Sequence, residues 1–141
     1  MPHIDWIPLL LAAALIFLLT SLLHRRPLKT TEQKKNGRLL YRSLSPEDGW
    51  ALLESGRKLT VLDVRTPEEF ACGHLPDSIN LPLNDLEQHA LQTVGNRNKT
   101  VLVYCQSGVR SKQATKLLYA HGFTDVHDIG GLTLFYKRKP Q

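Results

Sequence analysis

The residues whose types are best suited to catalysis are Cys105 and Arg110. They enclose the four-residue segment Gln106-Ser107-Gly108-Val109. The apolar run at 100–104 predicts a buried strand that ends beside Cys105, and residues 111–121 predict a helix after the loop. Open α/β sheets bind ligands beyond the carboxyl ends of their strands, and N–H groups at a helix start attract anions. A cysteine at this position is therefore stabilised as the thiolate, which is the nucleophilic form.

Three residues that follow Cys105 have types that suit this chemistry. Gly108 allows a positive φ where a side chain would obstruct the backbone. Arg110 offers a planar fork of donors to an oxyanion, and Ser111 can cap the helix or donate a hydroxyl. The alternative is a buried structural cysteine that happens to precede a helix, and the spacing of Gly108 and Arg110 favours the nucleophile.

Four segments together resemble the single-domain rhodanese-like sulfurtransferases. They are Y-C-Q-S-G-V-R-S at 104–111, L-D-V-R-T-P-E-E-F at 62–70, G-H-L-P-D-S-I-N-L-P at 73–82 and G-F-T-D-V-H-D-I-G-G-L at 122–132. The resemblance covers about residues 44–134 and implies a rhodanese-like α/β fold, with a central, mainly parallel five-stranded sheet flanked by helices. It also implies that Cys105 accepts a sulfane sulfur as a persulfide and passes it to a thiophilic acceptor, which is a thiol or a partner protein.

The resemblance further implies roles for individual residues, without any cofactor. Arg110 would hold the sulfonate of thiosulfate or a similar anion, and Asp63 and Arg65 match a D-x-R motif that braces the active-site loop. Glu69, Phe70 and His74 also match and are assigned structural roles. The remaining substrate-binding residues, which would stabilise the thiolate and persulfide mainly through the loop backbone, are Gln106, Ser107, Gly108, Val109 and Ser111.

Two other functions are compatible with the same fold, namely a phosphatase or arsenate reductase and a module that binds proteins. Phosphatases and arsenate reductases of the related fold carry Cys-x5-Arg, whereas four residues separate Cys105 from Arg110 here, and Tyr104 stands where phosphatases usually carry His. A module that mainly binds partner proteins would normally lack the cysteine, which this chain keeps. Both rivals are less favoured than a sulfurtransferase.

The cysteine and histidine content argues against metal chemistry. Two cysteines are too few for a disulfide scaffold and lack the paired spacing of a zinc site, and the six histidines show no ligand pattern. Cys72 is either a resolving thiol, which could close a disulfide with Cys105, or a spectator.

The eighteen residues 6–23 carry no charge, which predicts a transmembrane helix preceded by a short stub at 1–5. The competing interpretation, a cleaved signal peptide, needs a positive n-region and a small-residue cleavage site, and neither is present. His24-Arg25-Arg26 follows the apolar run, so the positive-inside rule places the rest of the chain on the cytoplasmic side.

The distribution of charge supports this organisation. The chain has a formal net charge of +5. Basic residues predominate in residues 24–42, whereas residues 43–141 are electroneutral, which argues against nucleic acid as a partner. We therefore predict a basic juxtamembrane linker at 24–38, a rhodanese domain at 39–136 and a solvated tail at 137–141.

Local signals outline the elements of that domain. Strands are predicted near 39–44, 60–64, 79–81, 100–104 and 125–129. Ser45 and Pro46 begin one helix, and Thr66 with Glu69 forms a capping box at the start of another. Further helices are predicted at 86–94, 111–121 and 132–136.

Overall fold

The computed structural model describes residues 11–16 and 28–138, and its elements follow the apolar runs and caps of the sequence. The strands, in chain order, are β1 Thr30–Lys35, β2 Arg38–Leu44, β3 Leu59–Asp63, β4 Ile79–Asn80, β5 Thr100–Cys105 and β6 Val126–Gly131. The helices are α1 Pro46–Leu53, α2 Pro67–Ala71, α3 Leu86–Val94, α4 Val109–Ala120 and α5 Leu132–Lys137, with a 3₁₀ turn at Leu83–Asp85 before α3.

Within the described residues the strands form one six-stranded sheet in the order β1-β2-β6-β5-β3-β4. The five strands from β2 to β4 are parallel neighbours, and β1 pairs with β2 antiparallel. The prediction of five strands in an α/β sheet is therefore short by one strand, and the sheet is mixed.

The additional strand lies in the segment that the sequence assigned to the linker, so the linker prediction is wrong for residues 30–38. Asn36 and Gly37 both have positive φ, 51° and 74°, which is the backbone of a type I′ hairpin turn. Asn-Gly is the strongest short signal for such a turn. The strand itself is almost wholly exposed and therefore has no apolar pattern to reveal it.

Helices cover both faces of the sheet. The side chains of β5 point alternately to the two faces and therefore pack in two separate buried clusters. Val101, Val103 and Cys105 pack with α3 and α4 on one face. Leu102 and Tyr104 pack with α1 and α5 on the other, where the Trp50 ring stacks on Phe135 at a centroid distance of 4.5 Å. Residues 101–105 are all completely buried, so β5 is the rigid centre that carries Cys105 to the sheet edge.

Local caps that the sequence predicted are confirmed. Ser45 accepts a hydrogen bond from the Asp48 amide at the start of α1. Thr66 and Glu69 form the reciprocal capping box of α2. These caps fix where each helix begins, and the second one orients Glu69.

Residues 11–16 are helical, and within the described ranges no helix is long and apolar enough to cross a membrane. Most of the predicted transmembrane helix at 6–23 lies outside the described residues, as do the stub at 1–5 and residues 139–141 of the predicted tail. Lys137, assigned to the tail, is the last residue of α5.

Candidate active site

Cys105 ends the central strand β5 and lies completely buried beside the start of α4. Its Sγ accepts hydrogen bonds from the Gly108 amide at 3.1 Å and from the Ser111 amide at 3.4 Å. N–H groups in the first turn of a helix have no intrahelical acceptor, so they are free to bind a negatively charged atom at this position. The loop thus holds the sulfur with the donors that stabilise a thiolate.

The loop is shorter than the sequence predicted, because α4 begins at Val109 rather than Ser111. Gly108 is the N-cap, with φ 92° and no side-chain cap, and this left-handed conformation turns its amide back toward the sulfur. Of the two predicted alternatives for Ser111, a helix cap or a hydroxyl donor, the cap is therefore not formed. The buried Ser111 hydroxyl instead donates to the carbonyls of Gly108 and Gly130 at 3.1 and 3.4 Å.

Two glycines at the end of β6 pack against the backbone of the loop. A Cβ placed on Gly131 would lie 2.8 Å from the Gln106 carbonyl oxygen and 2.8 Å from the Ser107 carbonyl carbon. Such distances are shorter than van der Waals contact, so a side chain at Gly131 would displace the loop. Gly130 has φ 86°, a conformation that other L-residues disfavour.

A buried ion pair positions the loop from the neighbouring strand. Asp63 at the end of β3 accepts hydrogen bonds from Arg65 Nε at 3.0 Å and from Nη2 at 2.7 Å, and both residues are buried. The hydrogen bonds to Asp63 raise the pKa of Arg65 above its usual value. Arg65 also donates to the Gln106 side-chain oxygen at 3.2 Å and to the Gly73 carbonyl at 2.6 Å. The D-x-R pair therefore joins β3, the loop at residues 105–110 (the Cys105 loop) and the loop after α2.

Arg110 has a partner that the sequence did not assign. Its Nη1 and Nη2 donate to the two carboxylate oxygens of Glu69 at 2.6 and 2.7 Å. The Arg110 contact, helped by the Thr66 amide, lowers the pKa of Glu69 to about 2. Glu69 and Arg110 are 41 residues apart in the chain, and spacing alone gives no signal for this contact.

A second missed contact lies behind the glycine turn. The buried carboxylate of Asp128 accepts hydrogen bonds from the Tyr41 hydroxyl at 2.6 Å and from the Gly130 amide at 2.8 Å. Burial and the Asp128 contact raise the pKa of Tyr41 well above its usual value. This network ties β2 to the turn that supports the Cys105 loop.

The remaining predicted residues lie around this centre. Gln106 and Ser107 are exposed on the loop, and Val109 is exposed at the first position of α4. Gln106 also donates to the Thr133 hydroxyl at 3.3 Å. His74 stacks on Phe70 and its Nδ1 lies 3.0 Å from the Phe70 carbonyl, as expected for a structural turn residue. Cys72 is an exposed free thiol at the end of α2, whereas Cys105 is buried.

Two depressions flank the Cys105 loop. One is a shallow groove of about 340 Å³ between the loop and α5, lined by Gln106, Ser107, Gly131, Thr133, Leu134 and Lys137. The other, of about 100 Å³, lies against Arg110 on the side of the 3₁₀ turn. In the part of the chain that the structure describes, no three His, Cys, Asp or Glu side chains are grouped as metal ligands.

Comparisons with known proteins agree with this geometry. The family model for the rhodanese-like domain matches residues 45–138. The thiosulfate sulfurtransferase PspE of Escherichia coli is 39% identical over 71 residues, which are 50% of this chain and 68% of PspE. The thiosulfate sulfurtransferase GlpE of Pseudomonas syringae is 32% identical over 102 residues, which are 72% of this chain and 92% of GlpE.

A solved structure described as a rhodanese with anions from E. coli superposes with a TM-score of 0.53 at 36% identity, and the match covers 55% of this chain and 91% of that one. The matched family model spans the Cys105 loop, the D-x-R pair and the glycine turn. This chain therefore belongs to the rhodanese-like domain family.

Proposed function

We propose that this protein is a sulfurtransferase in which Cys105 carries a sulfane sulfur as a persulfide, taken from thiosulfate or a similar donor. The observation that carries the proposal is the pair of amide hydrogen bonds, from Gly108 and Ser111, on the buried Sγ. Two similar proteins, PspE and GlpE, are named thiosulfate sulfurtransferases, which supports the same class for this chain.

The proposed reaction has two steps. The Cys105 thiolate attacks the outer sulfur of the donor, the donor's S–S bond breaks, and sulfite leaves with the bonding electron pair when the donor is thiosulfate. A thiol or protein acceptor then attacks the outer sulfur of the persulfide, and the Cys105 thiolate leaves. The amides of Gly108 and Ser111 stabilise the negative sulfur before and after each step, because they are fixed donors aimed at it.

The loop geometry favours sulfur transfer over phosphate chemistry. The four-residue spacing between Cys105 and Arg110 leaves a smaller loop than the five-residue form of the phosphatases. Release of phosphate from an aryl phosphate by the wild-type chain would contradict this assignment.

The proposal is tested by incubating the purified chain with thiosulfate and measuring its intact mass. We expect one added sulfur atom in the wild type and in Cys72→Ser, and no addition in Cys105→Ala. Cys72 is the matched control, because it is also a free thiol but is exposed and lies outside the Cys105 loop. Absence of the adduct in folded wild type with every donor tried would favour a binding module instead.

We further propose that the apolar segment at 6–23 anchors the chain in a membrane with the catalytic domain on the cytoplasmic side. The uncharged run and the basic residues that follow it support this topology. Cells expressing the chain can be fractionated and treated with a membrane-impermeant thiol reagent. Recovery in the membrane fraction, with Cys72 protected until the cells are lysed, is expected, whereas recovery in the soluble fraction or labelling of intact cells would overturn the proposal.

A further inference from the structure

The bidentate contact between Glu69 and Arg110 occupies the donors that an oxyanion would use. The two side chains are each about one-third exposed, so the pair lies at the rim of the site rather than in the core. Two parallel N–H···O bonds at 2.6 and 2.7 Å match the geometry with which arginine also binds sulfonates and phosphates. A sulfonate and the Glu69 carboxylate therefore compete for the same face of the guanidinium.

Glu69 is held in this position by its own helix. Its Oε2 accepts a hydrogen bond from the Thr66 amide at 3.0 Å, while its amide donates to the Thr66 hydroxyl at 3.3 Å. Because the capping box fixes the side chain independently of Arg110, the carboxylate remains beside the site when an anion approaches. An incoming oxyanion must displace it from Arg110 or bind against its charge.

The other arginine near the loop does not change this balance. Arg65 is paired with the buried Asp63 at 2.7 Å. Among the described residues, Arg65 contacts the loop and Arg110 ends it, and each is thus neutralised by a carboxylate. A dianion such as thiosulfate approaches a thiolate without a net positive side-chain charge from either pair.

We propose that Glu69 is a specificity-determining residue, which competes with oxyanion donors for Arg110 and thereby favours sulfur donors without an oxyanion. The inference rests on the proposed sulfurtransferase function. It concerns the choice of donor, and it leaves the role of Cys105 unchanged.

The two donor classes differ in charge at the position of Arg110. With thiosulfate, Cys–S⁻ and S–SO₃²⁻ give Cys–S–S⁻ and SO₃²⁻, so a dianion must enter and a dianion must leave. With an alkyl persulfide, Cys–S⁻ and R–S–SH give Cys–S–SH and R–S⁻, and the proton stays on the transferred sulfur. An uncharged R group requires nothing from Arg110, so its transfer is insensitive to Glu69.

The experiment compares Glu69→Gln with wild type and with Glu68→Gln, using thiosulfate and 2-hydroxyethyl persulfide as donors. Glutamine keeps an oxygen that can accept from the Thr66 amide, but it removes the competing charge. Glu68 is the matched control, because it is exposed on the same short helix and takes no part in the Arg110 pair. Removing charge at 68 tests whether helix charge alone matters.

We expect the KM for thiosulfate to fall about tenfold in Glu69→Gln, with kcat and the persulfide kinetics unchanged within about twofold. Glu68→Gln should match wild type with both donors. An unchanged or higher KM for thiosulfate in folded Glu69→Gln would overturn the inference. If Glu69→Gln does not fold, Glu69→Asp, whose shorter side chain cannot reach Arg110 with both oxygens, should lower the same KM by a smaller factor, and no change in it would be equally decisive.

A binding measurement separates this inference from the proposed function. Sulfate is an unreactive oxyanion, because it has no sulfane sulfur to transfer. Its affinity for the Cys105→Ala variant is read from protection against thermal unfolding. Tighter sulfate binding on adding Glu69→Gln supports the inference, and equal binding contradicts it. If the wild type forms no persulfide with either donor, the proposed function fails, whereas transfer that ignores Glu69 defeats only the inference.

Discussion

Removing the charge of Asp63 should destabilise the protein strongly, because it leaves a buried guanidinium without its partner. Asp63 is 0% exposed and Arg65 3%. The Asp63 carboxylate accepts from the Arg65 amide, Nε and Nη2 at 2.7–3.0 Å. Breaking a buried ion pair by neutralising one member costs about 3–5 kcal/mol. Since domains are typically stable by about 5–15 kcal/mol, Asp63→Asn should lose about a fifth of that stability or more.

Urea unfolding of the purified chain measures this loss as a shift of the midpoint at constant slope. The control is Glu47→Gln, which removes the carboxylate from an ion pair with Arg138. The Glu47 side chain is 49% exposed and the Arg138 side chain 62% exposed. Exposed pairs contribute about 0–1 kcal/mol, so this variant should unfold close to wild type. A loss below about 1 kcal/mol in Asp63→Asn would refute the reasoning.

A double variant, Asp63→Leu with Arg65→Met, distinguishes lost stability from lost positioning. Replacing both members by apolar side chains removes the unpaired charge and should recover most of the stability. It cannot recover the contact from Arg65 to the Gln106 side chain, so sulfur transfer should remain impaired. Full activity in this variant would show that the pair does not position the loop.

Three further outcomes follow from contacts near the loop. Gly131→Ala should cost about 1–3 kcal/mol in urea unfolding and slow persulfide formation, since its Cβ would lie within 2.9 Å of Ser107, and wild-type kinetics would contradict this. Tyr41→Phe should cost about 1.5–3 kcal/mol, because the buried Asp128 carboxylate loses a 2.6 Å hydrogen bond, and an unchanged unfolding midpoint would count against it. Glu69 has its pKa lowered from 4.5 to about 2, so its contribution to stability is complete above pH 4.5 and disappears as the pH falls toward 2. The stability difference between wild type and Glu69→Gln should therefore shrink across that interval, and a constant difference would exclude the ion pair as its source.

The sequence predicts those parts of the fold that local patterns specify. The strand at Thr100–Cys105 is a run of buried apolar residues, and the capping residues Ser45 and Thr66 lie where their helices begin. The observed start of α4 lies two residues before the predicted one, because a left-handed glycine, rather than a side chain, caps it. The strand Thr30–Lys35 was missed because an exposed edge strand has no apolar alternation, and its Asn36-Gly37 turn was the available signal.

The candidate site follows the same division. The position of Cys105 and the proximity of Asp63 to Arg65 can be predicted from adjacent residues and from the end of a strand. The contacts of Arg110 with Glu69 and of Asp128 with Tyr41 join residues 41 and 87 positions apart. Only the folded arrangement of the strands brings such pairs together, so local spacing does not predict them.

The central claim, that Cys105 carries the sulfane sulfur, is tested most directly by locating the persulfide in the chain. After incubation with thiosulfate and alkylation of the persulfide, trypsin should release Cys105 in the peptide 100–110 and Cys72 in the peptide 66–97, because lysine or arginine precedes and ends each segment. Mass spectrometry should then find the extra sulfur on the peptide that contains Cys105 and unmodified thiol on the other. Sulfur found on the Cys72 peptide, or on neither peptide, would contradict the account.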